Sequence, residues 1–364
     1  MVDIPVNVLI IAFAGEINNS PNSRLKKITA NSQLVFIPFH IFISTTFAAA
    51  VLKTYNSISD FSAAKKTIAT LGTFDGVHKG HRKIIKRIVE SAAANDCQSV
   101  ILTFFPHPRM VLQQDSDVRL LNTIDERAML LGETGLDSLI IHPFDEAFSR
   151  LSAEEFVKTV LVEQLNIRKI IIGHDHRFGK GRTANIQDLI LFGKKYEFEV
   201  EQISAQEVDH VAVSSTKIRT ALNQGNIELA NEYLGYHYFI TGTVVRGKQL
   251  GRTIGFPTAN ISITDSYKQI PAIGVYVVTA QLNDAEVFGM MNIGRNPTIG
   301  DNALSIEVYF FNFDNDLYDK KLAVSILFRM RDEEKFPSVA LLKEQLKADQ
   351  AHALQLLTSN GYIF

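Results

Sequence analysis

A chain of 364 residues with 46% hydrophobic content is longer than one ordinary domain and has apolar material for two separate cores. A formal net charge of −2 excludes the broad basic field of a nucleic-acid binder or of a protein held to an anionic membrane surface. The single cysteine, Cys97, excludes an intramolecular disulfide and a CxxC metal site, and it fits a reducing compartment, the cytoplasm by default.

Residues 1–50 read as an extension without an evident structural role. Gln33 to Leu52 is apolar and nearly uncharged, follows Arg24, Lys26 and Lys27, and ends in Ala48, Ala49 and Ala50, which is the pattern of a signal peptide. Against that reading, Pro38 and His40 interrupt the run, and it barely reaches the roughly 20 residues a membrane span requires.

From Lys66 onward, β-branched runs alternate with amphipathic segments. Strands are expected at Thr67–Phe74, Ser99–Phe105, Ser138–His142, Lys169–Gly173 and Phe198–Ile203. Between them, His81–Ala94 places Ile84, Ile85, Ile88 and Ala92 on one stripe, Ser152 and Glu155 form a capping box, and Asn185–Lys195 carries another apolar face. This alternation predicts a doubly wound, Rossmann-like α/β domain over residues 51–233. Beyond Leu234, strands at Tyr238–Val245, Gly274–Gln281, Glu286–Ile293, Ser305–Phe313 and Leu322–Met330 follow one another, with one long helix at Ser338–Leu357. That texture predicts a small antiparallel β-barrel over residues 234–364, closed by the C-terminal helix. Each part has its own apolar pattern, so fragments 51–233 and 234–364 are expected to fold separately.

The segment from Gly72 to His81 leaves a predicted strand and enters a predicted helix, where open α/β sheets bind ligands. Its glycines let a phosphate approach the backbone and the helix N-terminus, so Gly72, Phe74, Asp75, Gly76 and Gly80 are the expected binding positions. His78 and His81, three residues apart, can face one way, hydrogen-bond the phosphates of ATP and stabilise charge developing at the α-phosphorus. One histidine alone would more often be structural. The pair between glycines resembles the HxGH signature of the nucleotidyltransferases, and the full GTFDGVHKGH form is similar to their FAD synthetase branch.

Three further segments carry the same resemblance. Thr103 to Pro108 looks like that family's flavin-side loop, which assigns His107 and Pro108 to the flavin. Gly173 to Arg182 resembles its second phosphate and substrate loop, with Asp175 and Arg177 toward the flavin and Arg182 toward the phosphates. Ser214 to Arg219 resembles its ISSTxIR segment. There Arg219 and Arg182 would neutralise the departing phosphates while Ser214, Ser215 and Thr216 donate from a helix start. Read alone, that last segment is an ordinary helix cap with a surface arginine.

In the second half, Gly247, Gly251 and Gly255 give a loop able to wrap phosphates. Thr258 and Asn260, two residues apart after Pro257, present oxygens on one side of an extended strand and suit a hard cation such as Mg²⁺. Pro257 to Asn260 resembles the PTAN motif of the riboflavin kinases, and the likeness continues through Asn292, Arg295 and Thr298, on the flavin side, to Glu307. The resemblance makes Glu307 the base that takes the proton of the ribityl hydroxyl; between Ile306 and Val308 on a strand it must point away from their face. His176, Asn185 and Asp319 depart from the family pattern.

Together these motifs resemble the prokaryotic bifunctional riboflavin kinase/FAD synthetase family. The resemblance implies phosphorylation of riboflavin by ATP to FMN and ADP in the barrel, then adenylylation of FMN by ATP to FAD and pyrophosphate in the α/β domain. It implies Mg²⁺ with both, small-molecule partners, no nucleic acid and no membrane; a homo-oligomer is left open. Two alternatives stand beside it. One is adenylyl transfer to another phosphorylated acceptor with a passive barrel; the other is a flavin sensor with a degenerate first domain.

Overall fold

The computed structural model describes residues 51–112, 118–173, 176–204, 213–247, 250–283, 285–295 and 304–363. The signal-peptide-like run before Val51, Asp175 and Thr298 lie outside them. The chain divides into Met1–Ser44 and Thr45–Phe364, and the architecture below is that of the second unit.

Six parallel strands form the first sheet: β1 (Lys53–Tyr55), β2 (Thr67–Leu71), β3 (Gln98–Phe104), β4 (Ser138–His142), β5 (Ile167–Gly173) and β6 (Glu199–Ile203), in the order β1-β4-β3-β2-β5-β6. Every residue of β2 is buried, as expected of a central strand covered by helices on both faces. The helices include α1 (Lys79–Ala94), α2 (Ile124–Gly132) and α3 (Ile186–Tyr196). In α1 the predicted stripe is turned inward, with Ile85, Ile88 and Ala92 buried. The chain runs from β2 to β3 and β4 on one side and returns to β5 on the other. The carboxyl ends of β2 and β5 therefore flank the point where the winding reverses, which is where such sheets bind ligands.

β2 stops at Leu71, three residues short of the expected Phe74. The chain turns there through Phe74 (φ 46°), Gly76 (φ 89°) and Val77 (φ 36°), and a β-branched residue at positive φ is a strained arrangement that its surroundings must impose. At Gly76 an added Cβ would also lie 2.6 Å from Leu121 Cδ1, so the loop is pressed onto the segment after residue 118.

The second half is a barrel of antiparallel strands, β7 (Phe239–Val245), β8 (Ala259–Ser262), β9 (Gly274–Leu282), β10 (Ala285–Arg295), β11 (Leu304–Phe310) and β12 (Lys321–Arg331). Hydrogen bonding closes it in the order β10-β11-β8-β7-β12-β9. The expected closure by the terminal helix is thus corrected: the strands close the barrel by themselves. That helix packs its Ala353 and Leu357 against Val277, Phe288 and Leu327, on the face opposite to Tyr276 and Val278. Alternation with period two sends neighbouring residues of β9 to these two separate clusters.

Two helices, α4 (Ser215–Asn223) and α5 (Ile227–Leu234), precede the barrel. Their Ile218, Leu222, Ile227 and Leu234 belong to the same apolar cluster as Tyr238, Val244, Tyr276 and Met291. The cluster therefore crosses the 233/234 division, because the two helices bury their faces on the barrel. The α/β part also reaches it through a buried ion pair, Lys268 Nζ to Glu126 Oε2 at 2.6 Å, with side chains 0% and 1% exposed. Removing one partner of such a pair typically costs about 3–5 kcal/mol, because the other charge stays buried alone.

Candidate active site

The loop after β2 delivers both histidines. His78 caps α1, its Nδ1 accepting from His81 N at 3.4 Å. An imidazole nitrogen that accepts carries no proton, so the neutral ring holds its proton on Nε2 and can donate it to an incoming ligand. His81 stacks on His78 with ring centroids 3.7 Å apart, and its buried Nδ1 has no hydrogen-bond partner in the structure. Burial lowers the His78 pKa to about 4 and holds His81 well below its usual range, where Arg127 and His78 add to the effect. Both rings are therefore neutral hydrogen-bonding groups at neutral pH.

Asp75 is 2% exposed and its carboxylate is occupied by protein donors. Oδ1 accepts from Leu121 N at 2.9 Å and Asn122 N at 3.3 Å, and Oδ2 accepts from Arg219 Nη1 at 2.7 Å. Arg127, 1% exposed, stands 3.5 Å from Oδ1. Asp75 thus faces the arginines, and it ties Arg219 of α4 to the loop of β2 across 144 positions. A guanidinium has five N–H donors, so Arg219 retains donors for a phosphate. Ser215 Oγ donates to Asp75 O at 2.8 Å and Ser214 Oγ caps α4 by accepting from Lys217 N, so both hydroxyls build the loop, while Thr216 is exposed. Arg109, Thr216, Arg219, Asn223 and Leu304 line a cavity of about 780 Å³ beside them.

On the barrel, strand register sets three side chains in a row. Glu307 of β11 lies directly opposite Asn260 of β8 on one side and Asn292 of β10 on the other. Opposed residues of antiparallel strands share a face. Since Ile306 and Val308 are buried in the inner cluster, Glu307 points to the other face, as the alternation predicts. Thr258 Oγ1 donates to Glu307 Oε2 at 3.1 Å. Gly247 crosses over Asn260 so closely that a Cβ would meet its Nδ2 at 2.3 Å, and a Cβ on Gly251 would meet Phe256 O at 2.1 Å. Gly251 is thus also required by the chain's own packing, since its obstacle is backbone, whereas at Gly247 the Asn260 amide would have to move aside. Pro257 and Thr258 line a cavity of about 370 Å³ together with Arg252, Phe313, Leu317 and Tyr318. Arg295 is exposed near its edge of the barrel.

Residues 60–217 match the family model described as FAD synthetase, and residues 234–357 match the one described as riboflavin kinase. Among curated proteins, the bifunctional riboflavin kinase/FMN adenylyltransferase of Listeria monocytogenes is 38% identical over 285 residues, covering 78% of this chain and 90% of that protein. The chain belongs to this bifunctional family. The Escherichia coli K12 member is 33% identical over 305 residues, 83% of this chain and 97% of its own. A crystal structure described as a macrolide-efflux protein from Streptococcus pneumoniae superposes with a TM-score of 0.74 at 32% identity, covering 83% of this chain and 98% of that one. Among the described residues, no helix is long and apolar enough to cross a membrane.

The expected flavin-side positions His107, Pro108 and Arg177 and the expected phosphate-side Arg182 lie on the segments that leave β3 and β5. His107 and Pro108 are half-buried after β3, and burial lowers the His107 pKa to about 4. Arg177 and Arg182 are exposed on the segment after β5. Sequence reasoning passed over Glu126, Arg127, Tyr236 and Lys268, which stand behind the loop after β2: Tyr236 Oη donates to Gly76 O, Arg127 faces Asp75, and Lys268 holds Leu121 O and Glu126. Only one signal pointed there: Thr123 and Glu126 at capping-box spacing, which the structure forms at the start of α2.

A pH dependence follows. The folded-state pKa of His78 lies below its usual 6.5, so unfolding takes up a proton between these values. The resulting stability is present above pH 6.5 and is lost as the pH falls toward 4; a shift of this size corresponds to roughly 3 kcal/mol. The melting temperature of the protein should fall across this window, and His78→Asn, whose amide oxygen can also cap α1, should fall less. Equal slopes for the two proteins would contradict a neutral buried imidazole.

Proposed function

We propose that the two cradles divide the family's two reactions between them, with the catalytic halves meeting near residue 233. The chain is a bifunctional riboflavin kinase and FMN adenylyltransferase, with its two family domains in the expected order. In the first half, His78 and His81 donate to the phosphates of ATP, and Arg219, held by Asp75, draws the charge of the departing pyrophosphate. Arg182 and Thr216 contact the same phosphates, and His107, Pro108 and Arg177 face the flavin. The reading is carried by the orphaned, buried Nδ1 of His81 beside an arginine anchored to the same loop.

In the barrel, Glu307 is the general base for the ribityl hydroxyl, with Asn292 and Arg295 on the flavin side. Thr258 and Asn260 would hold Mg²⁺. Their hydroxyl and amide oxygens fit a hard cation that takes few protein ligands and keeps its other positions for water and nucleotide phosphates, and among the described residues no His, Cys, Asp and Glu cluster offers a rival metal site. When bound, the cation supplies charge neutralisation at the transferring phosphoryl group. The cytoplasm, where ATP and riboflavin meet, is the proposed location.

Incubation of the full chain with riboflavin, ATP and Mg²⁺ should yield FMN first and FAD second when the flavins are separated. EDTA in excess should stop riboflavin phosphorylation, and added Mg²⁺ should restore it. FMN production that survives chelation would overturn the metal assignment to Thr258 and Asn260.

A further inference from the structure

The connection between β8 and β9 belongs to the kinase barrel, yet its residues are built into the back of the adenylyl cradle. Residues 267–269 bridge to Leu120 by two backbone hydrogen bonds, Leu120 N to Tyr267 O and Gln269 N to Leu120 O, both 2.7 Å. Lys268 Nζ then spends all three of its protons inside the protein. It donates to Leu121 O at 2.7 Å, Glu126 Oε2 at 2.6 Å and Phe239 O at 2.9 Å. Glu126 in turn accepts from Thr123 N and Thr241 N, both at 2.9 Å. The carbonyl that Lys268 holds belongs to the residue whose amide, with that of Asn122, binds Asp75. Two hydrogen bonds therefore separate a barrel ammonium from the carboxylate that fixes Arg219.

We propose that Lys268 is a positioning residue for adenylyl transfer: from the kinase domain it clamps Leu121 and Asn122, and through Asp75 it sets the orientation of Arg219 on the leaving pyrophosphate. This rests on the reading of the β2 loop and Arg219 as the phosphate cradle. Lys268 borders the cavity beside Arg219, but its ammonium has no proton left to offer a substrate there. Its effect travels through two rigid backbone amides, and small displacements of an oriented group are costly to rate.

The test is steady-state kinetics of both reactions on full-length Lys268→Met. FMN adenylylation should lose about 10- to 100-fold in kcat with little change in the KM for ATP, because the misplaced arginine acts on charge that develops in the transition state. Riboflavin phosphorylation should be unchanged, which also reports that the barrel is folded. Asp75→Asn should show the same split, and the double variant should be no worse than Asp75→Asn alone. Additive losses, or unchanged adenylylation in Lys268→Met, would overturn the inference. A fall of both activities together would indicate unfolding; Tyr238→Phe then decides. It removes the hydroxyl set between Leu121 O and Gln269 O without stranding a charge, and it should lower adenylylation alone by roughly two- to tenfold. No loss in that variant would equally overturn the proposal. If Asp75→Asn itself leaves adenylylation intact, the cradle reading fails as well; if only Lys268→Met is inert, the cradle stands.

Discussion

Glu307→Gln is expected to cut riboflavin phosphorylation by a factor of about 10²–10⁴, the usual worth of a positioned general base, while FAD formation from supplied FMN continues. The substitution isolates the chemistry. Glutamine keeps an oxygen to accept from Thr258 Oγ1 and the same length between Asn260 and Asn292, so the row across β8, β11 and β10 is preserved. What it loses is the ability to take the proton. Glu307 stands on the face away from the inner cluster, and its strand makes no part of the β2 loop, so the first cradle has no reason to respond. Full phosphorylation by a folded Glu307→Gln protein would remove the carboxylate from the mechanism, and loss of both reactions would refute separate sites.

The second large effect is the converse. Replacing His78 by Asn and His81 by Ala should lower FMN adenylylation by about 10²–10³ for each phosphate donor removed, with riboflavin phosphorylation retained. Asparagine is chosen at 78 because that position caps α1, and losing a cap costs about 1 kcal/mol on its own account. A melting temperature close to that of the parent protein would show that the cap survives. Retained FAD synthesis in the double variant would show that the stacked imidazoles do not stabilise the reacting phosphates.

The chemistry that sequence can expose is the chemistry that lies close together in sequence. The histidine pair, the Thr258–Asn260 pair and the outward direction of Glu307 all follow from spacings of two or three residues read against one period, and the structure sets them on their expected faces. The strands were legible for the same reason, except β1 and β8, whose three and four residues are too few to show alternation. α2 was missed, and only the spacing of Thr123 and Glu126 in its cap marks it. Its nine residues bury Glu126 and Arg127 along with Leu130 and Leu131, so no clean apolar stripe marks it.

The supports of the site were not legible because their partners are far apart. Asp75 looked like a phosphate ligand, yet its carboxylate is taken by an arginine 144 positions later. Lys268, in a polar stretch that reads as a solvated turn, is among the least exposed residues of the fold. A buried charge of this kind is recognisable only once the backbone around it is known, since its partners come from two segments, around Leu121 and Glu126 and at Phe239, far from it in the chain.

The sharing of one apolar cluster by α4, α5 and the barrel bears on how such a gene could be divided. A cut after residue 233 would leave the upstream product with two helices whose greasy sides have lost their cover. A cut before Ser214 would spare that surface but hand Arg219 to the downstream product. Either way one offspring enzyme starts out crippled, so this architecture resists fission into two independent genes and favours inheritance of both steps as one polypeptide.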